Sequence, residues 1–294
     1  TLFSGQGTAV DTFPDEVGAD DPNISTEEDR NIFGSMAYFL KRRIATGGMG
    51  AIYEAEQIGA EGFVKTVALK TILPEYARSR SFVKSFIGEA KLVAGLVQQN
   101  IVQIYQLGRH GQGYYIAMEY IDGIDLTHFL FRHDLLRQTV PVEIATYIVS
   151  RICRGLEYAH IKRGSDGTPL ELVHRDVSPK NIMITNEGEV KLADFGVAKA
   201  ALFMEEEEGA YLVGSPQYMS PEQASGRTDM LDGRSDQYSL ALILQELITL
   251  SPAIPPRLDI HAAVAWAQIA KRSPIKHAVR GGRVPRELHA IVDK

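Results

Sequence analysis

With 294 residues, 45% of them hydrophobic and 23% charged, the chain has enough apolar side chains for one large or two modest lobes and reads as a soluble globular protein. A formal net charge of −6 argues against nucleic acid as the main partner, because phosphate backbones are held by clustered Lys and Arg. The single cysteine, Cys153, rules out an internal disulfide, and neither a bilayer-spanning apolar run nor a signal peptide is present, so a cytoplasmic location with no membrane segment in this chain is expected.

The first residue is Thr rather than Met, which points to a piece of a longer protein, such as its cytosolic part. Residues 1–36, with Asp15-Glu-Val-Gly-Ala-Asp-Asp-Pro22, lack apolar periodicity and are expected to form a disordered acidic linker or tail. From Tyr38 two β-like runs are joined by Gly47-Gly48-Met49-Gly50, whose glycines can bring backbone N–H groups close to phosphates. A dinucleotide-binding domain requires a helix after the last glycine. Here Ala51-Ile-Tyr-Glu-Ala55 continues as a strand, which favours a hairpin lid over a nucleotide.

Val67-Ala-Leu-Lys70 is an apolar strand carrying one lysine, read either as a strand-edge charge or, given a carboxylate partner, as a phosphate-positioning group. The next segment offers that partner: Phe82, Phe86, Val93 and Leu96 fall at helical spacing with Glu89 on the adjoining face. Residues 100–107 and 114–121 are expected to be strands joined by the turn Gly108-Arg-His-Gly-Gln-Gly113. A helix with a broad apolar stripe follows Pro141 and runs through residues 142–160; Cys153 within it is expected to be a small buried residue rather than a reactive thiol.

Residues 172–184, Leu-Val-His-Arg-Asp-Val-Ser-Pro-Lys-Asn-Ile-Met-Ile, precede Val190-Lys-Leu-Ala-Asp-Phe-Gly196. Asp176, Asn181 and Asp194 suit a divalent metal on a polyphosphate, since Mg²⁺ takes one or two protein carboxylates and completes its shell with phosphate and water. Further on, residues 235–248 are apolar nearly all round and are expected to form a central buried helix, with Asp236 near its start. Two shorter helices are expected around 264–269 and 288–292. Among the histidines, His110, His128 and His160 lack metal-ligand spacing and read as structural.

The motifs H-R-D-V-S-P-K-N and D-F-G, with G-G-M-G, Y-M-S-P-E-Q and R-S-D-x-Y-S-L, resemble those of the bacterial eukaryotic-like (Hanks-type) Ser/Thr protein kinases. The resemblance covers about Tyr38 to Lys294. It implies an α+β, two-lobed protein kinase fold over residues 37–294: a small β-rich lobe at 37–121 with one key helix, and a mainly helical lobe at 122–294 that lacks its last helices. Ala45 replaces the first glycine of the kinase Gly-rich loop, a mild departure.

By this resemblance ATP binds between the lobes with Mg²⁺, or Mn²⁺ in its place, and protein substrates are the acceptors. Adenine lies between Ile44, Ile52 and Ala68 above and Met183 below, with Met118 as gatekeeper and Glu119 to Ile121 as hinge. Gly47, Gly48 and Gly50 cover the phosphates, Lys70 paired with Glu89 positions them, Asn181 and Asp194 hold the metal, and Asp176 accepts the hydroxyl proton. Ser178 occupies the place of a lysine that contacts the γ-phosphate; Lys180 either supplies part of that charge or is a solvated loop lysine. Asp236 anchors the catalytic loop, residues 214–222 bind peptide, and Glu222 pairs with an arginine beyond this chain. Glu205 to Glu208 either pair with Arg175 in place of a loop phosphate or form a solvated acidic loop. The alternative to an active Ser/Thr kinase is a pseudokinase-like nucleotide-binding scaffold; oligomeric state is left open.

Overall fold

The computed structural model describes residues 37–46, 50–72, 80–110, 113–164, 166–195, 215–256, 258–275 and 284–292. The expected linker at 1–36, Gly47 and Gly48, and the segment carrying Glu205 to Glu208 lie outside the described residues, as does the side chain of Glu89.

The first lobe is a five-stranded antiparallel sheet in the order β1-β2-β3-β5-β4. Its strands are β1 (Ala37–Thr46), β2 (Gly50–Ile58), β3 (Val64–Ile72), β4 (Ile104–His110) and β5 (Gly113–Glu119), with helix α1 (Arg80–Ala94) between β3 and β4. Strand alternation builds two cores. Ala68, Ile116 and Met118 face Phe86 and Ala90 of α1, whereas Val67, Leu69, Tyr115 and Ala117 pack with Tyr38 and Ala55 on the other face. A helix spacing of i, i+4, i+7 puts Phe86, Ala90 and Val93 on the buried side of α1. β2 pairs in full register with β3 from Gly50, so the glycine-rich segment opens a hairpin and not a helix. A Cβ on Gly50 would lie 2.2 Å from the Thr71 carbonyl oxygen, a clash with backbone that only glycine avoids.

The expected strand at 100–107 is divided. Residues from Ile104 join the sheet, but Asn100 to Val102 cross to the second lobe, where Leu192 N–H donates to the Asn100 carbonyl and Val102 N–H to the Leu192 carbonyl. The expected turn at 108–113 is shorter, because β4 runs through Gly108 to His110. Gly108 is in the strand for packing: a Cβ there would sit 2.1 Å from Cζ of Tyr115.

The second lobe carries a three-stranded sheet of β6 (Gly123–Asp125), β7 (Ile182–Thr185) and β8 (Val190–Leu192). Its helices are α2 (Leu126–Leu135), α3 (Val142–His160), α4 (Pro221–Ala224), α5 (Gly233–Thr249), α6 (Ile260–Gln268) and α7 (Arg286–Val292). α5 is buried along most of its length and packs Leu240, Ile243, Leu244 and Leu247 against Ile148, Ile152 and Leu156 of α3. It begins two residues before the expected start, with Asp232 as its N-cap. α6 also starts early, capped by Asp259, whose side chain accepts from Ala262 N–H. Cys153 corrects its expectation of burial: it lies on the exposed face of α3. No helix among the described residues is long and apolar enough to cross a membrane.

Glu246 of α5 is buried and accepts a 2.5 Å hydrogen bond from Tyr218 Oη; burial raises its pKa to about 7. The folded state therefore holds this proton through a range in which the unfolded chain has released it, and the contribution to stability falls as pH rises from about 4.5 to about 7. Glu246→Gln should remove this loss and raise stability at pH 8 by on the order of 3 kcal/mol relative to the parent, with little difference at pH 4. Parallel urea titrations at both pH values check it; an equal difference at the two would refute the assignment.

Candidate active site

The site is assembled where the two sheets meet, and its central loop is pinned before it reaches the reacting residues. Asp236, 1% exposed, accepts from His174 N–H through Oδ2 and from Arg175 N–H through Oδ1, each at 2.8 Å, and pairs with His160 Nε2 at 2.8 Å. Its place is thus inside α5 as a loop anchor, and not merely an acid near a helix start. Gly233 permits this approach, because a Cβ there would meet His160 Nδ1 at 2.6 Å. Arg175 has φ +70° and Asp194 φ +57°, two non-glycine residues in the left-handed region, a conformation that persists when its surroundings over-determine it. For Arg175 the surroundings are Asp236, which accepts its N–H, and Gln223, whose Nε2 donates to its carbonyl at 2.6 Å.

His174 links the loop to the D-F-G segment. Its Nδ1 accepts from Asp176 N–H at 3.2 Å, which makes Nε2 the donor to the Ala193 carbonyl at 2.9 Å, and its ring meets Phe195 edge-on at 4.6 Å. Asn181 Nδ2 donates to the Asp176 carbonyl at 2.8 Å and to Oδ2 at 3.0 Å; Lys180 Nζ lies 3.1 Å from the same Oδ2. Both side-chain contacts fall on Oδ2, and neither side chain touches Oδ1. Lys180 therefore turns toward the Asp176 carboxylate although it is half exposed. Ser178 is buried, and its Oγ has no hydrogen-bond partner among the described residues.

Lys70 extends from β3 to Asp194, Nζ to Oδ1, at 2.7 Å. Burial pushes the Asp194 pKa up, but the charge and hydrogen bond of Lys70, helped by His174 and Lys180, outweigh it and hold the carboxyl below the usual aspartate value. The expected Lys70–Glu89 pair cannot be placed, since the Glu89 side chain is outside the described residues. Ala68, Met118, Ile52 and Ile121 line one apolar cluster that also touches Ala193. Met183 is on β7, while Ile44 is exposed and belongs to none of the buried clusters. Glu119, the last residue of β5, donates its N–H to the Gln103 carbonyl at 2.8 Å.

The sequence matches the family described as protein kinase domain over residues 38–284. This chain is a protein kinase domain. It is 40% identical over 257 residues to the tyrosine-protein kinase MasK of Myxococcus xanthus, covering 87% of this chain and 39% of that protein. To the serine/threonine-protein kinase PrkC of Bacillus subtilis it is 35% identical over 212 residues, 72% of this chain and 30% of that protein. It is also 34% identical to the serine/threonine-protein kinase PknB of Mycolicibacterium smegmatis over 87% of this chain and 39% of that one. The kinase thus spans less than half the length of these curated relatives. Among solved structures, the PknI kinase domain of Mycobacterium tuberculosis superposes with a TM-score of 0.59 at 26% identity, covering 90% of this chain and 97% of that one.

One residue that supports the loop, Gln223, escaped sequence reasoning as a site group. It stands at the end of Y-M-S-P-E-Q, forms a capping box with Ser220 and donates to the Arg175 carbonyl. His160, expected to be structural, is so through Asp236. Glu222 accepts from Ser235 Oγ at 2.5 Å; burial raises its pKa but the Ser235 and Ser220 hydrogen bonds lower it further, so it is held below the usual glutamate value.

Proposed function

We propose that this domain transfers the γ-phosphoryl group of ATP to Ser or Thr hydroxyls of protein substrates, with Mg²⁺ or Mn²⁺ as the metal. The observation that carries the reading is the Asp176 carboxylate, held on Oδ2 by Asn181 and Lys180 in a loop anchored to Asp236, opposite the Lys70–Asp194 pair. The donor set fits a divalent ion on a polyphosphate: one ionised carboxylate and one amide oxygen are too few for an all-protein cage and leave positions for phosphate and water. Asp194 and Asn181 Oδ1 would hold that ion, which neutralises charge on the phosphates when bound.

In this reading the remaining work is positioning. Lys70 moves from Asp194 to the α- and β-phosphates, with Glu89 as its second partner. The Glu119 carbonyl and Ile121 N–H hold adenine, Ile44, Ile52 and Ala68 cover it, Met118 closes the back and Met183 forms the floor. Gly47, Gly48 and Gly50 lie over the phosphates. Asp176 Oδ1 accepts the proton of the acceptor hydroxyl. Lys180 supplies positive charge on the γ-phosphate side in place of the lysine that Ser178 replaces. Turnover that requires added Mg²⁺ and is lost in Asp194→Ala supports an enzyme; nucleotide binding without turnover would favour the scaffold.

Lys180→Met tests the charge assignment. A charge-assisted contact made to the transferring group should cost roughly tenfold in kcat with little change in KM for ATP. An unchanged kcat would return Lys180 to a loop lysine.

A further inference from the structure

Lys191 has no role in the reaction described above, yet it is in the middle of β8, a strand buried at all three positions. A buried ammonium is costly unless it is paired. Its Nζ reaches Glu119 Oε1 at 2.9 Å, with Glu189 Oε2 more distant at 3.9 Å. Glu119 is the residue through which β5 leaves the first lobe, and its other oxygen, Oε2, accepts from Gln103 N–H at 3.2 Å. The Glu119 side chain is therefore held between the entry to β4 and the strand that leads, through Ala193, to Asp194.

Lys191 also stands opposite Met183 in the β7–β8 register, and Met183 stands opposite Asp125 in β6. Residues directly opposite in an antiparallel pair share a face, so the Lys191 stem rises beside the side chain assigned to the adenine floor. The ion pair thus runs from that floor to the hinge. Backbone bonds already fasten β8 to Asn100 and Val102, and Asn100 Nδ2 adds a bond to the Val190 carbonyl at 2.8 Å. Among the described residues, Glu119–Lys191 is the ion pair between the hinge and β8.

We propose that Glu119 and Lys191 are positioning residues for the nucleotide: their ion pair is a strut that fixes the height of the hinge carbonyl above the floor of the adenine pocket. The proposal rests on the kinase reading of the cleft and adds two side chains that touch neither phosphate nor metal. Loss of the strut frees the hinge to rotate against β8, so nucleotide is held less tightly while the catalytic loop, anchored separately through Asp236, keeps its geometry. The effect belongs in nucleotide affinity and in KM for ATP, more than in kcat.

The test uses the whole chain and Mg²⁺ with a fluorescent N-methylanthraniloyl ATP. Lys191→Met and Glu119→Gln should each raise Kd roughly tenfold, and the double variant should be no weaker than the worse single, because both changes break one interaction. Lys191→Arg should recover part of the affinity. Equal Kd values in parent and single variants, or strictly additive losses in the double variant, overturn the strut. Glu119→Gln, a change at a half-buried side chain, keeps the test decisive if Lys191→Met does not fold. Absence of nucleotide binding by the parent itself would instead overturn the kinase reading on which the proposal stands.

Discussion

Asp176→Asn is expected to lower phosphoryl transfer by roughly 10²- to 10⁴-fold, the usual contribution of a positioned acid–base group, while leaving ATP affinity nearly intact. The asparagine retains size and can still meet Asn181 and Lys180, so the loop should keep its shape. What it loses is a basic oxygen at the position of Oδ1. Full-rate transfer by this variant would remove Asp176 from the mechanism. A loss of ATP affinity as large as the loss of rate would mean that the change had disturbed the metal end of the cleft instead.

Asp236→Ala is expected to have the largest effect on stability. It leaves the His174 and Arg175 amides and the His160 ring without their acceptor in a buried site. Two orphaned buried N–H groups cost roughly 2 to 5 kcal/mol together, and the left-handed Arg175 backbone loses one of its restraints. Asp236→Asn, which keeps one acceptor oxygen, should fold but turn over at least about tenfold more slowly, because one of the two amides then faces an NH₂ group. Denaturant unfolding of the alanine variant and steady-state kinetics of the asparagine variant check the two halves. An asparagine variant with parental kcat would show that the anchor serves folding alone.

Asp176, Asn181 and Asp194 are legible in the sequence because they occur in short contiguous motifs: Asp176 and Asn181 are separated by a single turn of loop, and Asp194 follows just after β8. Period-2 and period-3.6 patterns placed α1, α3 and α5 and most strands of the first lobe to within a few residues, while α2, β6 and α4 were not expected. The misses have specific causes. Gly108 reads as a turn residue, but its lack of a side chain makes room for the Tyr115 ring. Asn100 to Val102 carries strand-like residues, yet its hydrogen bonds go to β8 in the other lobe. Cys153 falls in an apolar stripe whose exposed edge runs through it, and helical spacing alone did not say on which side. The Glu119–Lys191 pair joins two residues far apart in sequence, each of which looks like an ordinary strand charge until the fold brings them together.

Lys180 Nζ lies 3.1 Å from Asp176 Oδ2 while its side chain stays half exposed, and Lys180→Met decides between the two readings of this lysine.

The most direct test of phosphoryl transfer to aliphatic hydroxyls is incorporation of label from γ-³²P ATP into a generic protein acceptor, followed by acid hydrolysis and separation of the phosphoamino acids. Relatives named as tyrosine and as serine/threonine kinases make the identity of the labelled residue as informative as the amount. With Mg²⁺, the parent chain should yield phosphoserine and phosphothreonine and Asp176→Asn should yield almost none. No label above the Asp176→Asn background would contradict phosphoryl transfer, and label confined to phosphotyrosine would contradict the aliphatic acceptor.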